Sequence, residues 1–290
     1  MFKGKLILFS GLVASSLVVS IPAHGDENMF GYVYGSETLP KGGLELYQWV
    51  TRRDDKGQGT YRAYDFNTEL EYGFTDRFQG SVYLNARSHK IAGSAPVEDG
   101  SPEYPDRDSA GFDGIKASFK YSLLSPYKDD FGLALYVEPG YSKINSVSGR
   151  PQNGKSLELK VITQKNFMDD QLIWAFNLSP EFEWNHFKDD GSNEKELEVE
   201  ASTGLSYRFA PHWSAGIEGR YSAVYPNFNG RETWALFAGP NIHYGGKHWW
   251  WTATWFPQIK GGPTDPTRSS YLQLDENEKT EYRLKVGYEF

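Results

Sequence analysis

The sequence predicts an all-β chain, a transmembrane antiparallel up-and-down β-barrel of about 12 strands, and three observations carry that expectation. The stretch from Thr280 to Phe290 alternates without error: Tyr282, Leu284, Val286, Tyr288 and Phe290 share one face, and Glu281, Arg283, Lys285, Gly287 and Glu289 share the other. A period of two, with one apolar and one mostly charged face, marks a strand between two unlike environments. The same pattern recurs along the chain in segments of about 10 to 14 residues, where strands of globular proteins average about 5 or 6 and a tilted strand needs about 9 to 11 to cross a bilayer. Finally, connections alternate between short turns near residues 76, 127, 169, 211 and 246 and longer polar loops, the asymmetry of membrane barrels.

The amino-terminus reads as an export signal. Lys3 and Lys5 precede an apolar run from Leu6 to Ile21, and Ala23 and Gly25 stand where a signal peptidase needs small residues. Residues 1–25 are therefore expected to be removed, which takes the formal charge from −8 to −10 because no acid precedes Asp26. Such a charge disfavours nucleic acid as a partner. The absence of cysteine excludes disulfides, thiolate nucleophiles and cysteine-based metal sites. No apolar stretch after Ile21 approaches the roughly 20 residues of a spanning helix, so a membrane role must use strands. Aromatics make up 16% of the chain, a proportion suited to interfacial belts.

Residues 26–42 form a polar lead, expected in the periplasm or inside the barrel, and residues 43–290 form the barrel. The strands are read as Leu44 to Arg53, with imperfect alternation, then Tyr61 to Phe74 and Phe78 to Lys90. A long loop over 91–111 leads to a fourth strand with Ile115, Ala117, Phe119 and Tyr121 on its apolar face. Strands follow over 131–145, 156–167 and from Leu172 past Trp184, and the eighth sets Leu197, Val199 and Leu205 against Glu196, Glu198 and Glu200. The ninth to eleventh cover 213–224, 233–244 and 248–259, and a second long loop over 260–279 returns to the closing strand. An even count puts both termini on the short-turn side, where Tyr72, Phe74, Tyr121, Phe131, Phe209, Trp213, Trp249 and Phe290 are expected to form one girdle. Trp49, Tyr64, Trp184, Tyr221, Trp234 and Trp255 are expected to form a looser one near the long loops.

With the signal, the turn Tyr72-Gly73-Phe74-Thr75-Asp76-Arg77-Phe78 and the terminal Val286-Gly287-Tyr288-Glu289-Phe290 in view, the chain resembles proteobacterial outer-membrane barrels. The opening Gly35-Ser36-Glu37-Thr38-Leu39-Pro40-Lys41-Gly42-Gly43-Leu44-Glu45 is similar to that of a group of uncharacterised outer-membrane proteins, loosely related to putative solute transporters. The resemblance implies a cell outer-membrane location in a Gram-negative bacterium and an assembly route. In it, Tyr288 and Phe290 serve as the signal read by the barrel-assembly machinery, and outer-membrane lipid and lipopolysaccharide surround the wall.

The inferred lumen carries Asp65, Glu69, Glu71, Glu138, Glu158, Glu181, Glu183, Glu196, Glu198, Glu200, Glu218, Glu281 and Glu289 against Arg87, Lys116, Lys120, Lys160, Arg208, Arg220, Arg283 and Lys285. Acid exceeds base, so the expected function is a porin-like channel passing small hydrophilic solutes or ions through a mildly acidic, cation-favouring lumen. An ion-paired, occluded interior is the competing reading of the same residues, and twelve strands lie between filled eight-stranded barrels and open porins. The alternative function is a non-conducting surface protein whose long loops make contacts. No enzyme is expected: His243 and His248 flank the Gly245 turn with inward parity, but no serine or carboxylate at useful spacing makes either a general base, and His186 beside Asp189 and Asp190 reads as solvated. The acidic loop over 98–108 lacks the spacing of a calcium loop. No metal site and no cofactor are expected.

Overall fold

The computed structural model describes residues 28–96 and 102–290; the stretch read above as an export signal and the start of the acidic loop, Glu98 to Ser101, lie outside the described residues. Twelve strands follow one another: β1 (Leu44–Asp54), β2 (Thr60–Thr75), β3 (Phe78–Ala92), β4 (Arg107–Leu124), β5 (Gly132–Ile144), β6 (Pro151–Phe167), β7 (Leu172–Phe187), β8 (Asn193–Ala210), β9 (Trp213–Pro226), β10 (Thr233–Gly245), β11 (Trp249–Gly262) and β12 (Thr280–Glu289). Each pairs with its sequence neighbours, and β1 pairs with β12, so one antiparallel sheet closes on itself. Closure leaves no unpaired edge, which is what lets a sheet exist in hydrocarbon. Among the described residues no helix is long and apolar enough to cross a membrane.

The period of two becomes a two-sided wall. On β3, Val82 and Leu84 are 59% and 60% exposed, while Ser81 and Tyr83, which alternate with them, are buried. On β12, Tyr282 and Leu284 face out and Glu281 and Lys285 face in. Exposed aliphatic and aromatic side chains with buried glutamates and lysines invert the pattern of a water-soluble domain, as expected where lipid is the solvent. Aromatic pairs rim the short-turn end: Phe74 stacks on Phe78 at 5.5 Å, and Trp249 meets Tyr288 at 4.7 Å.

The strands outrun the sequence expectation at the long-loop end. β4 begins at Arg107, paired with Ile91, so the loop expected over 91–111 shrinks to 93–106. Likewise β6 starts at Pro151. These polar extensions are held by backbone pairing with a neighbouring strand, which needs no alternation of side chains. Trp49 is a second correction. It shares its face of β1 with Glu45, Tyr47, Thr51 and Arg53, so it sits inside the ring, its indole 5.1 Å from the Lys285 ammonium and 6.0 Å from the Tyr83 ring, and takes no part in an outer girdle.

Inside the ring, residues 28–41 cross the lumen close to the short turns. Phe30, Tyr32 and Val33 are buried there, Phe30 and Val33 against Ile173 and Ala175, and Tyr32 stacked on Phe256 at 4.3 Å. Gly204 makes room for the Phe30 ring: a Cβ at that position would lie 2.6 Å from it.

Candidate functional site

All fifteen residues expected to line a passage, Asp65, Glu69, Glu71, Lys116, Lys120, Glu181, Glu183, Glu196, Glu198, Glu200, Arg208, Glu218, Arg220, Arg283 and Lys285, project to the inner side of the ring. Twelve of them fall into three neighbourhoods, and Glu71 stands apart from these, accepting from the Tyr47 hydroxyl at 2.7 Å.

The first holds the crossing segment. Glu218 on β9 accepts backbone N–H groups of Gly31 (2.8 Å), Tyr32 (2.7 Å) and Val33 (3.1 Å), and also the Asn241 amide and the Thr254 hydroxyl. Asn177 accepts from Tyr34 N–H and donates to Tyr34 C=O; Gln164 accepts from Ser36 N–H and Gln79 from Leu39 N–H. Arg283 donates to Gly31 C=O at 3.0 Å and Lys120 to Gly35 C=O at 3.4 Å, while Lys285 reaches the Asn28 side chain at 2.7 Å. A backbone without helix or ladder needs a partner for each buried polar group, and here the wall supplies them. Lys41 ends the crossing with its N–H on Asp76 at the rim. The anchors Gln79, Gln164 and Asn177 escaped the sequence reading. Their signal was a set of inward amides near the short turns, which have no charge to mark them.

A second neighbourhood lies at the long-loop end, beside β1 to β4. Arg53 joins Asp65 (2.9 Å), Glu278 (2.7 Å) and the Ser146 carbonyl, and Arg87 joins Asp65 and Asp113. Above them Arg268 in the last loop ties Glu103 (2.9 Å) and Asp275 (2.8 Å), and the Tyr104 hydroxyl donates to the Asp275 carbonyl. Burial lowers the Lys56 ammonium and raises the Glu276 carboxyl from their ordinary ranges; Glu232, Glu103 and Glu194 push Glu276 further up.

Between these lies the third neighbourhood, the wall of β5 to β8. Antiparallel register sets Glu138 opposite Glu158, Glu158 opposite Glu181, and Glu181 opposite Glu198, one row of carboxylates across four strands. Glu183 opposite Glu196 makes a second row. Lys116 bonds Glu138 at 2.8 Å and Lys160 bonds Glu158 at 3.0 Å. Arg220 lies 3.7 Å from Glu200 but commits its other nitrogen to Glu281 and its plane to the Phe237 ring. No lysine or arginine among the described residues lies within ion-pair distance of Glu181, Glu183, Glu196 or Glu198; Lys116, already bonded to Glu138, is the cation that also acts on Glu181. Lys116 thus stands at this wall, while Lys120 is drawn to the crossing segment.

The histidines separate. His243 is buried against the Thr252 hydroxyl at 2.8 Å, whereas His248 stays in the turn with its ring on Tyr288 outside, so of the two residues read as inward only His243 faces the lumen. The turn residues 246–248 keep His248 out of the strand and away from the inward row. Among the described residues no group of three potential metal ligands converges. An apolar concavity of about 760 Å³ lies on the outer wall among Val50, Ile242, Ala253, Trp255, Tyr282 and Leu284. Its residues include those facing hydrocarbon, which makes it relief for acyl chains rather than a site for a polar solute.

A model of a family of unknown function, DUF6662, matches residues 22–290, and the chain belongs to that family. No curated protein matches the sequence. Among solved structures the fold is similar to the COG4313 outer membrane channel from Pseudomonas putida F1, at 13% identity over 88% of this chain and 98% of that one, with a TM-score of 0.59. It is also similar to the NanC porin (8% identity, 84% and 98% covered, TM-score 0.50) and to the β domain of the Bordetella autotransporter BrkA (10%, 86% and 99%, TM-score 0.50). At such identities the likeness is one of fold.

Proposed function

We propose that this member of the DUF6662 family is an outer-membrane channel for small hydrophilic solutes, with a preference for cations, stopped at rest by its own residues 28–41. In this reading residues 1–25 are the export signal, 26–42 the lumenal stop and 43–290 the barrel. Tyr288 and Phe290 are read by the assembly machinery, and lipid and lipopolysaccharide meet the outer face. The fifteen inward residues named above line the path. Catalysis and cofactors have no part.

The observation that carries the reading is how the crossing segment is held. Its backbone bonds to side chains of the wall and adds no strand to the sheet. Side-chain bonds of this kind each contribute about 0.5 to 1.5 kcal/mol net, or about 1.5 to 3 where a charged group takes part, and break independently. A barrel serving only as an anchor has no need of a polar lumen and a separable stop. The chain has no cysteine, so Ser36→Cys with Gln164→Cys gives an unambiguous lock. In planar bilayers the reduced protein should show cation-selective steps, and oxidation should suppress them reversibly. Silence in the reduced form and in a variant lacking residues 28–41 would favour the surface-protein alternative.

A further inference from the structure

The rows of carboxylates on β5 to β8 present like charges directly opposite one another, an arrangement that weakens a sheet. Three features of this wall point outward to a ligand. It is undersupplied with cations, as Glu181, Glu183, Glu196 and Glu198 lack a lysine or arginine at ion-pair distance. It also contains an unused polar group: the Ser179 hydroxyl, 2% exposed, has no hydrogen-bond partner and lies on the same inner face, opposite Glu200 and two positions from Glu181. Furthermore, it continues upward to the mouth through Glu194, Glu232 and Glu276, whose carboxylates act on one another.

The shape of this charge selects the class of ligand. Adjacent strands stand about 4.8 Å apart, so the row from Glu138 to Glu198 runs about 14 Å along the wall. A single metal ion needs ligands converging on one point, and no such cluster forms among the described residues. A chain of ammonium groups joined by short methylene spacers matches a row instead, each ammonium lying between two carboxylates and donating to both, with its methylenes against the wall.

We propose that the β6–β8 wall binds a linear polyamine, along Glu181 and Glu198 with Glu183 and Glu196 above them. The Ser179 hydroxyl accepts from one ammonium, and Lys116 and Lys160 end the site by neutralising Glu138 and Glu158. This names a solute class for the channel and rests on that reading for access to the lumen, but the binding itself does not require conduction. Polyamine entering from the long-loop side meets the acids of the mouth first and the wall next, and stops above the crossing segment.

Isothermal titration of the purified full chain in detergent with spermidine, at low and at high salt, tests this. We expect one spermidine per barrel and weaker binding of putrescine. Binding of spermidine should fall by about tenfold or more in Glu181→Gln/Glu198→Gln and be retained in Glu181→Asp/Glu198→Asp. Should the glutamine pair fail to give a heat-modifiable barrel, the wild type suffices: spermidine should protect Glu181 and Glu198 from carbodiimide coupling, read by mass spectrometry, while leaving Asp130, exposed in a short turn, reactive. No binding, equal binding in the glutamine pair, or no protection overturns the site. Binding without conductance leaves the site standing and sinks the channel; conductance without binding does the reverse.

Discussion

Glu218 and Glu198 are both inward glutamates on adjacent strands of one wall, and they are treated in opposite ways. The Glu218 carboxylate gathers five donors, three of them backbone N–H groups of a segment 185 to 187 residues away in sequence. Glu198 faces Glu181 across the ladder and has no cation at ion-pair distance. Burying charge is tolerable only when it is hydrogen-bonded or paired. At Glu218 the protein satisfies its own carboxylate and so fills the lumen with itself. At Glu198 it leaves the demand open, to be met by water, protons or a solute. The half of the lumen near the short turns is structural chemistry, and the β6–β8 wall is chemistry awaiting a partner.

The largest effect should come from breaking the satisfied side. Glu218→Leu strands three backbone donors, each costing about 1 to 3 kcal/mol when left unmet. Residues 28–41 should leave the lumen, become sensitive to protease and raise conductance several-fold, while the barrel keeps its heat-modifiable migration because no ladder bond is touched. Unchanged protease resistance would show that Asn177, Gln164 and Gln79 hold the segment without it. Next in size is reversal of the open side. Glu196→Lys with Glu198→Lys and Glu200→Lys should move the reversal potential in a salt gradient toward anions, and the shift should shrink in concentrated salt because screening acts beyond about 10 Å at 0.1 M. An unmoved potential would place these residues off the conducting path.

A smaller effect concerns neither side, and serves as a control on the loops. Arg150 bonds Asp189 and Asp190 between two long-end connections, holding the Asp189 carboxyl below the usual range, while the Ser192 hydroxyl and backbone N–H chiefly, with Arg150, hold Asp190 down at about 2. A depressed carboxyl stabilises its contact above its unfolded value of about 3.9, and that contribution disappears as pH falls through the folded value. Hydrogen exchange at residues 188–192 should therefore speed up between about pH 4 and pH 2, with the ladder of β7 and β8 still protected. Arg150→Ala should abolish this step.

The ring was legible because its cause is local. Alternation of two, as in Tyr282 to Phe290, and dipeptide turns such as Asp76-Arg77 fix strand and hairpin within a dozen residues, and sequence order then gives neighbour order. The carboxylate ladder on β8 was legible for the same reason, since Glu196, Glu198 and Glu200 share a face by parity alone. That Glu138, Glu158, Glu181 and Glu198 form one row was not, because register between strands depends on bulges such as the one at Ser142/Ile144 between β5 and β6. Trp49 went to the wrong side because β1 carries large residues on both faces. The seat of residues 28–41 was least legible: its partners, Gln79, Gln164, Asn177 and Glu218, are uncorrelated with any repeat and lie on four different strands.

The seam of the ring lies between β1 and β12, the first and last strands to be made. The segment joined to β1 makes its most distant bonds to β12 itself, Gly31 to Arg283 and Asn28 to Lys285, across 252 and 257 residues. Those bonds have no partner until the final strand is in place, and closing so long a loop has an entropic cost that only a formed wall can offset. Seating of the amino-terminal segment is thus complete only once β12 is in place, and is a receipt for it. A barrel that has lost its final strand, or inserted it out of register, would be left with that segment loose and open to the proteases that clear unfinished chains.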